Sequence, residues 1–283
     1  MIINSEPLVS IIMPCYNAEH FLKKAIESIL NQTFTDFEFI IIDDCSSDRS
    51  ASIIHEYIKD DPRIRYIKNE KNLGVAASLN RGIDLARGQF IARMDADDIS
   101  LPERLERQVN HMKENPSCVA CGTDIILIDE KGHRIGTREY YHSNKNIKKN
   151  IHRASCFAHP TVMMRRKTII ENNLFYSTRL RWVEDYDLWF RLSQLGEFKN
   201  IANFLLLYRI SSTSIKNNHC KETLRNTIKL KMQYLARGCF RSYIVLIFEI
   251  VLLAFPKKVI LFFYKLYYSK SFLSYDQNSY EVK

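Results

Sequence analysis

Two aspartates separated by one residue close an apolar run in this chain of 283 residues. Asp95 and Asp97 follow residues 89–94, a run with the length and composition of a buried strand. In a non-helical turn both carboxylates can reach one ligand, and hard oxygen ligands suit Mg²⁺ or Mn²⁺ on a diphosphate. Acidic turns are common without a metal, so the position after a core strand is what favours a metal site.

Two other polar segments also end apolar runs. Asp43 and Asp44 close one run, and their simplest interpretation is turn or cap chemistry before a helix for which Ser47 is a plausible N-cap and Asp48 would serve equally well. A strand candidate near the N-terminus ends in Pro14-Cys15-Tyr16-Asn17. A tyrosine can stack on a nucleobase, and an aspartate can accept a hydrogen bond from a base imide. The two segments together therefore favour nucleotide binding.

A third group of acids opens a predicted helix near residue 183. Glu184 and Asp185 follow Trp182, and carboxylates at a helix start often serve only the helix dipole or the cap. The alternative is a general base that takes the proton of an attacking hydroxyl group, beside an aromatic platform. His159 precedes Pro160 at the edge of another predicted strand. A lone histidine is usually structural, and the alternative is that it faces the site.

The elements that would position these groups alternate along the first half of the chain. Apolar runs and helical stripes predict strands at 8–13, 37–42, 64–67 and 89–94 and helices at 19–31, 50–59, 75–86 and 103–113. Strands that alternate with helices indicate a mostly parallel sheet. Ligands of such sheets bind beyond the carboxyl ends of the strands, where the polar segments lie.

The second half of the chain is less regular. We expect strands at 118–127, 133–138, 161–164 and 204–210 and a helix at 183–195. Cys118 and Cys121 lack a second pair at zinc spacing, and we expect buried strand cysteines there rather than a zinc site. The predicted organisation is a catalytic domain over 1–215, divided near residue 115 into a nucleotide half and an acceptor half. A helical segment over 216–283 follows it.

The last segment carries nearly all of the net charge of +9, with 12 Lys and Arg against 4 Asp and Glu in residues 216–283. Its cations alternate with the apolar blocks 243–255 and 259–268, which favours an anionic membrane surface over nucleic acid. The blocks are too short to span a bilayer, and Glu249 opposes deep burial in lipid. Packing on the catalytic domain or on a partner chain is the alternative. Leu224, Ile228, Met232 and Leu235 lie on one face of a predicted amphipathic helix.

The first residues lack the features of a secretory leader, and seven scattered cysteines are typical of reduced thiols. We therefore expect a cytoplasmic protein, peripheral on the inner face of the cell membrane.

Taken together, these residues resemble the family 2 glycosyltransferases, over roughly residues 8–215. The resemblance implies an α/β architecture of the GT-A type, Rossmann-like, with a mostly parallel sheet flanked by helices. It rests on five blocks in matching order, namely Val9-Ser10-Ile11-Ile12-Met13-Pro14-Cys15-Tyr16-Asn17, Ser28-Ile29-Leu30-Asn31-Gln32-Thr33, Ile42-Asp43-Asp44-Cys45-Ser46-Ser47-Asp48, Asn72-Leu73-Gly74 and Met94-Asp95-Ala96-Asp97-Asp98, and it closes with Glu184-Asp185.

The resemblance also implies residue roles and a reaction. A sugar would pass with inversion from a nucleotide-sugar, a UDP-sugar with galactose slightly favoured, to a lipid-linked or oligosaccharide acceptor of bacterial surface polysaccharide such as O-antigen or capsule. The implied roles are nucleoside binding by Pro14, Tyr16, Asn17 and Asp44, ribose contact by Asp95, binding of Mn²⁺ or Mg²⁺ by Asp97, the general base Asp185, and a lining of His159, Trp182 and Glu184.

Two positions depart from the family pattern. Asp44-Cys45-Ser46 stands where many members have Asp-Gly-Ser, and Tyr208-Arg209-Ile210-Ser211 stands where many have Tyr-Arg-x-His. Ser211 cannot replace an imidazole as a metal ligand, and His219 is an unproven substitute. Two alternatives stay open: a sugar nucleotidyltransferase, which would usually carry a glycine-rich basic loop after the first strand, and a catalytically degenerate membrane-bound assembly factor.

Overall fold

Four parallel strands form the first half of one mixed sheet. The computed structural model describes residues 6–210, 219–234 and 240–269. The strands lie in the order β3-β2-β1-β4. Their bounds are Val9–Cys15 (β1), Phe37–Asp43 (β2), Ile64–Lys68 (β3) and Phe90–Arg93 (β4), and the helices between them are Leu22–Leu30 (α1), Ser50–Asp60 (α2) and Val75–Leu85 (α3).

Alternate side chains of β1 enter two separate cores, as the two-residue period of a strand requires. Ile11 and Met13 pack towards α1 and α2, whereas Ile12 packs towards α3. Burial of both faces explains the continuous apolar composition of β1 and β2. The carboxyl ends of these strands therefore present their polar loops at one edge.

The second half of the sheet mixes strand directions. The order continues β4-β8-β6-β9-β5, and β7 pairs with β6. Strand β8 runs antiparallel to both neighbours, whereas β6 and β9 are parallel. The bounds are Ile99–Ser100 (β5), Cys118–Ile128 (β6), Arg134–Arg138 (β7), Met163–Arg165 (β8) and Glu197–Arg209 (β9), with helices Arg104–Glu114 (α4), Asn144–Asn150 (α5), Arg166–Glu171 (α6) and Glu184–Leu192 (α7).

Two local predictions are wrong. Ser47 does not cap α2, because the Asp48 carboxylate accepts the Ser50 N–H at 2.9 Å while Ser47 N–H donates to the side chain of Asn17. His159 does not lie at a strand edge but begins a short 3-10 turn, His159–Thr161, closed by a hydrogen bond from Thr161 Oγ1 to a backbone carbonyl.

Three helices follow the sheet, at Cys220–Tyr234 (α8), Phe240–Leu252 (α9) and Lys257–Ser269 (α10). They share a small apolar core of Leu224, Ile228, Leu246, Leu252 and Ile260. Of the residues predicted on one face of α8, Leu224 and Ile228 are buried, whereas Met232 is 58% exposed. Leu235 lies outside the described residues. In the described part of the chain, none of the helices has the length and apolar character of a membrane span.

Gly82 sets the distance between α3 and β1. A Cβ atom added there would overlap Cγ2 of the buried Ile12. Although alanine favours helices over glycine by about 1 kcal/mol, we expect Gly82→Ala to lower the free energy of unfolding by about 1–3 kcal/mol through overpacking. Urea denaturation measures the change.

Ile12→Ala removes the overlapped methyl group and provides the control. The double variant should lose less stability than the sum of the two single losses. Strictly additive losses would show that this overlap is not the cause.

Candidate active site

The loops after β1 and β2 are joined to each other. The Asn17 side-chain oxygen accepts the Ser47 N–H at 2.9 Å, and Ser46 Oγ accepts the Asn17 N–H at 3.1 Å. Asn17 and Cys45 have left-handed φ values of 49° and 65°. Glycine adopts this conformation without strain, which agrees with the Asp-Gly-Ser pattern of many family 2 members at the position of Cys45. Between the loops, Tyr16 presents a side chain that is 53% exposed and free to stack on a planar ligand.

Asp44 is buried and organises the segment that leads into α3. Its carboxylate accepts hydrogen bonds from Asn69 Nδ2 at 2.7 Å, Leu73 N–H at 2.8 Å and Gly74 N–H at 2.7 Å. Arg81 in turn donates to the Asn69 side-chain oxygen. The predicted nucleoside residue is thus part of a preformed network, to which Asn69 and Arg81 are additions that the sequence did not suggest.

The acidic turn after β4 collects three carboxylates rather than two. Oxygen atoms of Asp95, Asp97 and Asp98 lie within 4.8 Å of one another. Asp95 makes a bidentate ion pair with the buried Arg93, with N–O distances of 2.5 and 2.6 Å. Asp98 is 1% exposed and accepts the Arg209 N–H at 2.8 Å. The structure therefore adds Asp98 to the predicted metal group.

Negative charge accumulates at this turn. Burial and the Asp95 charge raise the pKa of Asp97 to about 6, and burial with both neighbouring carboxylates raises the pKa of Asp98 well above its usual range. The buried Oδ2 atom of Asp98 has no hydrogen-bond partner in the described residues. Crowded carboxylates with an unpaired oxygen fit a divalent cation, for which they supply hard oxygen ligands.

The second acidic group stands at the start of α7. Glu184 is buried, and burial together with the Asp185 charge raises its pKa to about 7. Asp185 is half-buried and lies 3.5 Å from Ser155 Oγ. Trp182, just before the helix, has a left-handed φ of 71°, a strained conformation for a bulky residue. Of the two carboxylates, Asp185 is the more accessible.

Arg93 and Tyr176 connect the two acidic groups. Arg93 pairs with Asp95, and its positive charge also offsets part of the rise in the pKa of Glu184. Burial raises the pKa of Tyr176 above its ordinary range; the Arg93 charge opposes this rise, and the charges of Asp185, Glu184 and Asp95 add to it. The carboxylates that the sequence placed 90 residues apart therefore share one electrostatic environment.

The predicted lining residues have neighbours of their own. His159 Nε2 lies 3.0 Å from the Tyr176 hydroxyl, and its ring packs edge-on against Trp189. The ring of Trp182 stacks on His219 at a centroid distance of 4.8 Å, so one indole face is already covered. His219 also pairs with Glu222 at 3.5 Å. Among the described residues, the cluster of possible metal ligands comprises Asp95, Asp97 and Asp98 and does not include His219. Ser211 lies outside the described residues.

Besides Asn69 and Arg81, sequence reasoning gave no role to Arg93, Asp98, Tyr176 or Arg209. A signal existed for Arg93, because a cation within an apolar strand must find a buried partner. Arg209 Nε donates to the Asp97 carbonyl at 2.8 Å, and its guanidinium lies over the ring of Phe21. The sequence around Arg209 contains no local pattern that predicts its contacts with Asp97 and Phe21.

The family model described as glycosyl transferase family 2 matches residues 10–174. The chain belongs to that family. This glycosyltransferase is similar to the O-antigen biosynthesis glycosyltransferase WbnJ of Escherichia coli, with 36% identity over 219 residues, 75% of this chain and 83% of the relative.

Two solved structures resemble this glycosyltransferase. TarS residues 1–349 from S. aureus, in complex with UDP, align with a TM-score of 0.63 and 19% identity. The alignment covers 78% of this chain and 64% of that TarS chain, less than two thirds of its length. The mannosyltransferase PcManGT from Pyrobaculum calidifontis, in complex with GDP-Man and Mn²⁺, aligns with a TM-score of 0.61 and 13% identity over 95% and 76%. These likenesses confirm the GT-A type of fold.

The raised pKa of Glu184 makes stability depend on pH. Because the folded state binds the proton more tightly than the unfolded state, this stabilisation is complete below pH 4.5 and is lost as pH rises through about 7. We expect the difference in unfolding free energy between the wild type and Glu184→Gln to change by roughly 3 kcal/mol at most between pH 4.5 and 8.5.

Urea denaturation across this pH range measures the difference. Glu103→Gln, at an exposed position, is the control and should track the wild type. Parallel curves for the wild type and Glu184→Gln would contradict the raised pKa.

Proposed function

We propose that this glycosyltransferase transfers a sugar, with inversion, from a UDP-sugar to a hydroxyl group of a lipid-linked or oligosaccharide acceptor in the synthesis of a bacterial surface polysaccharide. The observation that carries the proposal is the common environment of two acidic groups, the turn at Asp95–Asp98 and the helix start at Glu184–Asp185, linked by Arg93. One group suits a diphosphate with its cation, and the other suits an attacking hydroxyl group.

The donor nucleotide would lie at the edge formed by the loops after β1 and β2. Tyr16 is exposed for stacking. Pro14 precedes it within β1, Asn17 joins the two loops through Ser47, and Asp44 holds the segment that leads into α3. Asp95 would lie near the ribose. UDP is favoured because TarS, of the same fold, is solved with UDP. Galactose is the sugar that we favour by family resemblance.

The metal would be Mn²⁺ or Mg²⁺, held by Asp97 with help from Asp95 and Asp98. When bound, such an ion stabilises the charge that develops on a departing diphosphate. Around it, Arg93 and Arg209 hold the turn in place, through the ion pair with Asp95 and the hydrogen bond to the Asp97 carbonyl. This framework keeps the carboxylates grouped before any ligand arrives.

Asp185 is the proposed general base. Its carboxylate takes the proton of the acceptor hydroxyl while that oxygen forms a bond to the anomeric carbon, and the bond from this carbon to the diphosphate oxygen breaks in the same step. Glu184 suits the role less well, because it is buried and its pKa near 7 leaves it partly protonated at neutral pH. Ser155 lies close enough to orient Asp185.

The helices after residue 216 would bind an anionic membrane on the cytoplasmic side. An exposed apolar face runs along α9 and into α10, next to the exposed cations Lys257 and Lys258. Exposed apolar surface beside positive charge is typical of interfacial helices. The face comprises Tyr243, Ile244, Ile247, Phe248, Ile250, Val251, Phe255, Phe262 and Phe263. A lipid-linked acceptor would then be presented close to the catalytic domain.

Asp185→Asn should retain UDP binding and lower kcat for transfer by about 10²–10⁴-fold, because the hydroxyl proton loses its acceptor. The measurement is UDP release from a panel of UDP-sugars with Mn²⁺, Mg²⁺ or EDTA, in the presence of a lipid-diphosphate monosaccharide.

Asp84→Asn is the matched control, since Asp84 is exposed on α3. Substantial transfer by Asp185→Asn would remove Asp185 as the base. Metal-independent release at the wild-type rate would remove the cation from the proposal.

Ile247→Asp and Val251→Asp place charges in the exposed face of α9 and should weaken binding to vesicles of phosphatidylglycerol and phosphatidylcholine by at least about tenfold each. Co-sedimentation measures the binding. Ile170→Asp on α6 changes an exposed apolar residue elsewhere and should bind as the wild type does. Unchanged binding by both α9 variants would favour a protein partner for this face.

A further inference from the structure

Helix α8 is fixed against the helix that carries the proposed base. The Tyr234 hydroxyl donates to Asp187 Oδ1 on α7 at 3.2 Å. The ring of Tyr234 stacks on Phe190 of α7 at a centroid distance of 4.7 Å and an interplanar angle of 6°. These two contacts hold the C-terminal end of α8 in a defined place beside α7.

The buried Lys231 joins α8 both to α9 and to the catalytic domain. Lys231 Nζ lies 2.6 Å from a Glu249 oxygen of α9 and donates to the Arg153 carbonyl at 3.0 Å. The side chains are only 3% and 8% exposed, so breaking the pair would leave an uncompensated buried charge. Helix α8 therefore packs on the catalytic domain, and α9 is joined to α8 by the buried ion pair.

The N-terminal half of α8 lies beside the residues that lead into Glu184 and Asp185. Asn226 Nδ2 donates to the Arg181 carbonyl at 3.0 Å, and His219, just before the helix, stacks on Trp182. The Trp182 Nε1 donor is buried and has no hydrogen-bond partner in the described part of the chain. A buried donor of this kind calls for an acceptor atom.

Helix α8 also presents cations that make no ion pair among the described residues. Lys221, Arg225 and Lys229 are exposed and spaced four residues apart, which places them on one side of the helix. Arg181 is exposed next to them, and none of the four makes an ion pair among the described residues. Glu222, the acidic residue of α8, is paired with His219.

We propose that Arg181, Arg225 and Lys229 bind the diphosphate of a lipid-linked acceptor, with Trp182 at the border of the sugar. The proposal rests on the proposed function, which places the acceptor hydroxyl at Asp185. Guanidinium groups suit phosphate oxygens because they donate in a planar fork. Arg225 and Lys229 are separated by a helical rise of about 6 Å, so one extended anionic group can meet both.

The order of elements agrees with such an acceptor. Helix α8, which carries the cations, contacts α7 through Tyr234 and Asp187, and α9, which carries the apolar face, contacts α8 through Glu249 and Lys231. A sugar, a diphosphate and a lipid chain occur in the same order along a lipid-linked acceptor. A phospholipid headgroup would use the same cations, but it would not need them beside Trp182 and the proposed base.

Binding of decyl diphosphate tests the proposal without knowledge of the sugar. Isothermal titration calorimetry is carried out on the full chain saturated with UDP and one equivalent of Mn²⁺, so that the donor site is occupied. Arg181→Gln and Arg225→Gln should each weaken decyl diphosphate binding by about tenfold or more. UDP affinity should not change, and neutral decyl maltoside should bind all variants equally.

Lys23→Gln is the matched control, because Lys23 is an exposed cation on α1. Equal decyl diphosphate binding by the wild type and both arginine variants would overturn the proposal. If the arginine variants lost binding only to phosphatidylglycerol vesicles in co-sedimentation and bound decyl diphosphate as the wild type does, the proposal would also be overturned. The cations would then be assigned to lipid headgroups. Failure of the wild type to bind UDP would instead refute the proposed function, and the two failures are therefore distinguishable.

Discussion

The buried charge of Arg93 is the constraint on which the candidate site depends. A cation at the end of a core strand costs free energy unless carboxylates and carbonyls surround it. Its ion pair with Asp95 fixes the acidic turn, and its field reaches Glu184 on a distant helix. A second buried arginine, Arg104, donates to the backbone carbonyls of Arg93 and Pro160 and so fixes the end of β4 that carries Arg93. The site is thus built around positive charge, although its conspicuous residues are acidic.

Much of the fold could be predicted because buried parallel strands have a strong composition signal. The runs that became β1 and β2 were found within two residues of their ends, and the polar residues after them pointed to one edge. Helices α5 and α6 were missed because each is short and lacks an apolar period. Strand β9 begins before its predicted start, in the polar sequence at Glu197–Asn200, which is held by pairing with β6 rather than by its own composition.

The sequence motifs named candidate residues of the site, but they did not predict the tertiary contacts between these residues. Spacing named Asp95, Asp97 and Asp185 as candidates but left turn and cap roles open for them, and the resemblance to family 2 supplied their expected roles. The tyrosine that joins them, Tyr176, lies in a segment without a pattern and reaches the site only through tertiary packing. Glu249 shows the same limit, since its buried partner Lys231 lies 18 residues away on another helix. Pairs of this kind depend on geometry that one sequence does not encode locally.

The buried pair of Lys231 and Glu249 has a consequence for how such enzymes diversify. An appendage that hangs from a flexible linker can be exchanged between proteins as a cassette. Here the last helices contribute a lysine to a carbonyl of the catalytic domain and a tyrosine to the helix of the proposed base. A transplanted tail would keep the pair of Lys231 and Glu249, but Lys231 and Tyr234 would lose the Arg153 carbonyl and the Asp187 carboxylate, their hydrogen-bond acceptors in the catalytic domain. The catalytic domain and its tail must change in step, as parts of one inherited unit.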